Sequence, residues 1–180
     1  MIKMKKKSKK IKTNKLKKHY QFVIIGAGPA GLQLGYYLQK NKEDYVILER
    51  NKKAGSFFEK YPIHRKLISV NKRHVESDPG IDINEFAYRH DWNSLLCDNP
   101  DLRVKNYSRD YYPQAECLVK YLNDFSSFYH LNIYYQADVT LIKKNKDKDG
   151  YFQIDLLSGQ FISAQFVIVC TGVSKNYIPN

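Results

Sequence analysis

The stretch FVIIGAGPAGLQLGYYLQ, Phe22 to Gln39, sets Gly26, Gly28 and Gly31 at the spacing G-x-G-x-x-G. That spacing holds phosphate when a strand precedes it and a helix follows. The first glycine permits a tight turn, the second lets a pyrophosphate approach the backbone, and the third lets the helix pack close to the strand. The N–H groups of the first helical turn have no partners within the helix, and with the positive end of the helix dipole they face the anion. Pro29 suits that first turn, where an N–H would be unpaired anyway. Glu49 lies 18 residues beyond Gly31, at the end of the next apolar run. A carboxylate there accepts hydrogen bonds from ribose 2′- and 3′-hydroxyls, and it repels a 2′-phosphate. The expected ligand is therefore NAD or the ADP half of FAD rather than NADP. The bland alternative is a structural glycine turn beside a surface glutamate.

Elements must exist to position these residues. YQFVII, Tyr20 to Ile25, is a continuous β-branched and apolar run, as in a strand buried on both faces of a parallel sheet. A helix is predicted from about Ala30 to Lys40, with Leu32, Leu34, Tyr37 and Leu38 as its apolar positions, then a turn, then a second strand, Tyr45 to Glu49. Together they form one βαβ unit. Arg50 to Asp110 shows weak periodicity but carries Phe57, Phe58, Tyr61, Phe86, Tyr88 and Trp92, so it reads as a long connection ordered by packing. A second helix is predicted within Pro113 to Tyr129, with Leu118, Tyr121, Leu122, Phe125 and Phe128 on one face. A short strand NIYY follows, then a hairpin of Asp138 to Lys144 with Tyr151 to Leu157, closed at Gly150, and a last buried strand, Gln165 to Gly172.

Length and composition bound the rest. A chain of 180 residues, 43% hydrophobic and 27% charged, is one domain, or one domain with part of another. Ten of the 30 basic residues are lysines between Lys3 and Lys18, which leaves 20 basic against 18 acidic in the remainder. The charge of +12 thus belongs to an arm, residues 1–19, read as disordered, and residues 20–180 form the domain. Nucleic-acid binding would rest on that arm alone, so no nucleic-acid partner is expected. No run has the length of a membrane span, and no apolar stretch of signal-peptide type follows the lysines. Cys97, Cys117 and Cys170 are far apart, and the five histidines lack metal-site spacing, so no metal site is expected.

GAGPAGLQ, ILER, AGSFF and FVIVCTG resemble the FAD domain of flavin-containing monooxygenases and their relatives. GSFFEKYPIHRKLISVNKR, RHDWNSLL and YSRDYYPQA resemble, more narrowly, the FAD-dependent oxidoreductase domain proteins of the endoplasmic reticulum that are associated with degradation. The likeness covers about Tyr20 to Asn180. It implies an α/β, Rossmann-like FAD-binding domain with a parallel sheet and a small antiparallel β-meander, incomplete at its C-terminal side.

The resemblance also implies a site. Gly26, Gly28, Pro29, Ala30 and Gly31 would hold the FAD pyrophosphate, and Glu49, with Arg50 beside it, the adenosine ribose. Ser56 and Phe57 would lie toward the flavin, and Val139 would meet the adenine through its backbone. Thr171 and Gly172 match the strand end that leads into an NADP domain, so NADPH is expected only with that further part. Asn71 matches an asparagine beside the reactive flavin edge and is the one candidate catalytic residue. The activity implied is hydride transfer from NAD(P)H through FAD, with the endoplasmic reticulum lumen as location and its degradation machinery as partner. The rival class is a flavin- or nucleotide-binding adaptor without turnover.

Overall fold

The computed structural model describes residues 16–72, 91–145 and 151–172. Six strands form one mixed sheet in the order β3-β2-β1-β6-β5-β4. The strands are β1 (His19–Ile25), β2 (Tyr45–Glu49), β3 (Ile133–Tyr135), β4 (Val139–Lys144), β5 (Phe152–Leu156) and β6 (Phe161–Val169); among the described residues the α-helices are α1 (Pro29–Lys40) and α2 (Ala115–Phe128). Among the described residues no helix is long and apolar enough to cross a membrane.

β1 pairs parallel with β2, with Ile24 opposite Ile47. Alternate residues of both strands face opposite layers. Ile24 and Ile47 join Leu32 and Tyr36 of α1 and Tyr121, Leu122 and Phe125 of α2 in one core cluster. Val23, Ile25, Val46 and Leu48 join Ile154, Leu156 and Ile162 in a second. Burial on both faces is why these strands read as unbroken apolar runs.

α1 lies close to the sheet because its inner face is made partly of glycine. A Cβ on Gly31 would stand 2.0 Å from the Gly26 carbonyl oxygen, and one on Gly35 2.7 Å from Cδ1 of Ile47. The buried positions of α1 are Gly31, Leu32, Gly35 and Tyr36. Tyr37, expected on the apolar face, is exposed. A 3.6-residue period sets Tyr36, four residues after Leu32, on the inner face instead. Phe128 of α2 is likewise exposed, while Leu118, Tyr121, Leu122 and Phe125 are buried as the periodicity predicts.

β6 begins at Phe161, four residues before the apolar run at Gln165. On one edge Phe161–Ala164 pair antiparallel with β5, and on the other edge Ser163–Val169 pair parallel with β1, Phe22 opposite Phe166. One strand thus joins the hairpin to the parallel sheet, so the expected meander is continuous with that sheet. Among its described residues the connection after β2 contains two short 3₁₀ turns, Ser56–Glu59 and Val104–Asn106, and buries Leu67, Leu95, Leu102 and Val104 in the first cluster. Phe86, Tyr88 and the Gly150 turn lie outside the described residues.

The basic arm also needs a correction at its end. Residues 1–15 lie outside the described residues, but Leu16 packs against the second cluster and β1 already starts at His19. The Lys17 N–H donates to the Tyr20 hydroxyl at 2.9 Å, and the Lys18 carbonyl accepts the Ser163 N–H at 2.9 Å. Residues 16–19 therefore belong to the domain.

Candidate functional site

The candidate residues converge at the carboxyl ends of β1, β2 and β6, where open α/β sheets bind ligands. The three motif glycines have three different surroundings. Gly26 has φ +105°, and a Cβ there would stand 2.6 Å from the Cys170 carbonyl oxygen and 3.4 Å from the Thr171 Cα. Its backbone conformation and the crossing β6 end both demand glycine. Gly31 is demanded by the approach of α1 to the turn. Gly28 is demanded by neither: its φ is −82°, ordinary for any residue, and a Cβ there meets nothing within 4 Å.

Gly28 is the N-cap of α1 and offers no side chain to the helix end, Pro29 follows, and the first turn has no acidic residue. The helical ladder begins with the Leu32 N–H donating to the Gly28 carbonyl at 2.9 Å. The N–H groups of Ala30 and Gly31 precede that ladder, beside the open space at Gly28.

Glu49 ends β2, buried, and is held from two sides. Its Oε2 accepts the Ala27 N–H at 2.8 Å; its Oε1 accepts the Asn51 N–H and side-chain Nδ2, both at 2.9 Å. The same Nδ2 donates to Oγ of Ser56 at 2.8 Å. The Ala54–Ser56 loop is brought to the turn by the Gly55 N–H, which donates to the Ala27 carbonyl at 2.9 Å. Gly55 has φ +68°, and a Cβ on it would stand 2.7 Å from Leu122 of α2. Asn123, also on α2, clasps the loop from below: its Oδ1 accepts the Ala54 N–H at 3.2 Å and its Nδ2 donates to the Ala54 carbonyl at 3.0 Å. Ala27, Asn51, Gly55 and Asn123 were not singled out by the sequence. Only the position of Asn51, two residues after the strand-end glutamate, was a usable signal.

The structure thus brings together Gly26, Gly28, Pro29, Ala30, Gly31, Glu49 and Ser56, with Thr171 beside Gly26. Gly172 follows at φ +70°, and a Cβ there would meet nothing within 4 Å. Arg50 is exposed. Phe57 is half exposed and stacks on Tyr61 with ring centroids 4.9 Å apart. Val139 opens β4 opposite Leu156, two residues after Ala137, whose N–H donates to the Glu49 carbonyl at 2.9 Å. Asn71 belongs to a different set of contacts. It is buried, its Nδ2 donates to the carbonyls of Ser108 (2.9 Å) and Asp110 (3.2 Å), and its N–H donates to the Tyr111 carbonyl at 2.7 Å. Its amide protons are thereby engaged in joining two loop segments.

Burial favours the neutral form of two ionisable groups near the turn region. Burial pushes the Cys170 thiol above its ordinary value, so it stays neutral. Burial, with the Glu49 charge adding to it, pushes up the Tyr135 phenol against a hydrogen bond with Ser126. The arrangement offers backbone N–H groups to an anion and one carboxylate acceptor to a hydroxyl.

These features are those of a nucleotide-binding α/β domain. The signature of the pyridine nucleotide-disulphide oxidoreductase family matches residues 23–179, and the chain belongs to that family. The mouse FAD-dependent oxidoreductase domain-containing protein 2 is 41% identical over 160 residues, 87% of this chain and 24% of the relative. The zebrafish protein of the same name is 44% identical over 156 residues, 86% of this chain and 22% of the relative. The chain therefore spans about a quarter of the length of these relatives. A flavin-containing monooxygenase from Stenotrophomonas maltophilia shares the fold with a TM-score of 0.61 at 21% identity, over 91% of this chain and 42% of that one.

Proposed function

We propose that this domain binds FAD by its ADP half and is the FAD-binding part of a flavin-dependent oxidoreductase that takes hydride from NAD(P)H. The observation that carries the reading is Gly28. Neither backbone conformation nor packing calls for glycine there, and the space a side chain would fill is open beside the first turn of α1. A diphosphate bound against the backbone accounts for it. The names of the mouse and zebrafish relatives support FAD as the nucleotide.

In this reading the N–H groups of Ala30 and Gly31 hold the diphosphate, and Glu49 accepts a ribose hydroxyl. Ser56 and Phe57 border the flavin side, Val139 borders the adenine, and Asn71 lies at the flavin edge with its Oδ1 as the acceptor it can offer. Bound flavin supplies the two-electron chemistry, accepting hydride and passing electrons on. NADPH binds through a further part of the protein. By the likeness of its loop sequences, the protein works in the endoplasmic reticulum lumen beside the degradation machinery. Protease treatment of sealed microsomes checks the location: a tagged full-length protein digested without detergent overturns it.

The ligand test is a titration with FAD, ADP and NAD, on the wild type and on Gly28→Val. FAD and ADP are expected to compete for the wild type, and Gly28→Val to lose both while keeping its circular dichroism. Binding of NAD without FAD, or FAD binding unchanged in Gly28→Val, overturns the proposal.

A further inference from the structure

Glu49 alone does not explain its own geometry. A glutamate at a strand end has three side-chain torsions, and its head must lie within hydrogen-bond reach of the Ala27 N–H and still face a ligand. Asn51 limits that freedom. Its backbone N–H and its Nδ2 converge on one carboxylate oxygen, Oε1, leaving Oε2 for Ala27. The second proton of Nδ2 goes to Oγ of Ser56, and the Asn51 carbonyl accepts the Gln136 N–H at 3.1 Å, which fixes its backbone.

We infer that Asn51 is a positioning residue for cofactor binding: its carboxamide sets the Glu49 carboxylate against the Ala27 N–H and ties it to Ser56, so the ribose end and the flavin side of the site form one unit. The inference takes its ligand from the FAD reading above. A carboxylate has about four lone-pair sites, two on each oxygen. Both sites of Oε1 are taken by Asn51, and one of the two on Oε2 by Ala27. One acceptor site on Oε2 remains, already aimed by the other bonds, so a ribose hydroxyl meets a carboxylate that need not be reordered. The role depends on donation from Nδ2 rather than on shape, and aspartate at this position is the isosteric control. It would turn a donor into a second carboxylate facing Glu49 and Ser56.

The experiment has two arms, on wild type, Asn51→Ala, Asn51→Asp and Ser56→Ala. The first needs no ligand: amide hydrogen exchange at Ala27, with Gly26 as internal reference because its N–H donates to the Leu48 carbonyl at 2.8 Å. Exchange at Ala27 is expected to quicken at least about fivefold in Asn51→Ala and more in Asn51→Asp, with Gly26 unchanged, a selective loss that general destabilisation does not produce. The second arm compares ADP with 2′-deoxy-ADP. The wild type is expected to prefer ADP, and Asn51→Ala to lose at least about threefold of that preference, with Ser56→Ala between the two. Unchanged Ala27 exchange in Asn51→Ala, or an Asn51→Asp variant like wild type in both arms, overturns the inference. A wild type that binds neither ADP nor FAD sinks the FAD reading, and the exchange arm still decides the role of Asn51.

Discussion

Gly26 and Gly31 touch so closely that a methyl group on Gly31 would overlap the Gly26 carbonyl oxygen, at 2.0 Å. The start of α1 is in contact with the turn that precedes it, and the anion-facing N–H groups are held at that contact. Gly31→Ala must push the helix off the turn. Its cost is expected to be about 3 kcal/mol, at the upper end for overpacking. Gly28→Ala, with open space and an ordinary φ, should change stability by less than about 1 kcal/mol. Urea melts of the two variants check the contrast, and equal losses would contradict it.

Asn71 has a structural task whatever it does toward a flavin. Removing its carboxamide leaves the carbonyls of half-buried Ser108 and exposed Asp110 without these donors, and water can replace part of the loss. Asn71→Ala should cost about 1 kcal/mol. It should leave ADP binding intact, because the glycine turn and Glu49 share none of its contacts. A variant as stable as wild type in denaturant would show those carbonyls to be satisfied by other groups.

Tyr45 makes the fold sensitive to alkali. Its hydroxyl donates to Gln39 Oε1 at 2.8 Å and accepts the Asn132 N–H at 3.1 Å. Burial raises its pKa from 10.0 to about 12. A folded pKa above the unfolded one means that the stabilisation is complete below pH 10, where both states are protonated, and is lost as pH rises toward 12. Between pH 9 and 11.5 the stability advantage of wild type over Tyr45→Phe should shrink by about 2 kcal/mol. Denaturant midpoints across that range measure it, and parallel curves for the two proteins would remove Tyr45 as the cause.

The boundary of the basic arm can be tested by truncation. A chain starting at His19 lacks the Leu16 contact, the Lys17 N–H bond to Tyr20 and the Lys18 carbonyl that receives Ser163. It should be less stable than one starting at Leu16 by about 1–2 kcal/mol. The exposed Lys17–Asp44 ion pair adds little to this. Identical melting temperatures would return residues 16–18 to the arm.

By itself the sequence determined the βαβ unit, both helices and the strand-end position of Glu49. Each depends on conformational preferences and periodicities that act over a few residues: apolar runs for β1 and β2, glycine and proline at the head of α1, and three-and-four spacing in α2. Even there the letters were ambiguous. Gly28 and Gly31 are the same residue type, yet Gly31 is glycine for packing and Gly28 has no structural reason to be glycine. Only the neighbours in space separate the two cases. The tertiary structure alone decided that β6 takes β5 antiparallel on one edge and β1 parallel on the other, because strand partners are chosen by burial across the whole sheet. It alone decided that Asn51 bridges Glu49 to Ser56, that Asn123 on α2 clasps Ala54, and that the Asn71 amide holds Ser108 and Asp110. A polar side chain bonds to whatever backbone the closed fold brings within about 3 Å. For Asn123 and Asn71 that backbone lies tens of residues away along the chain.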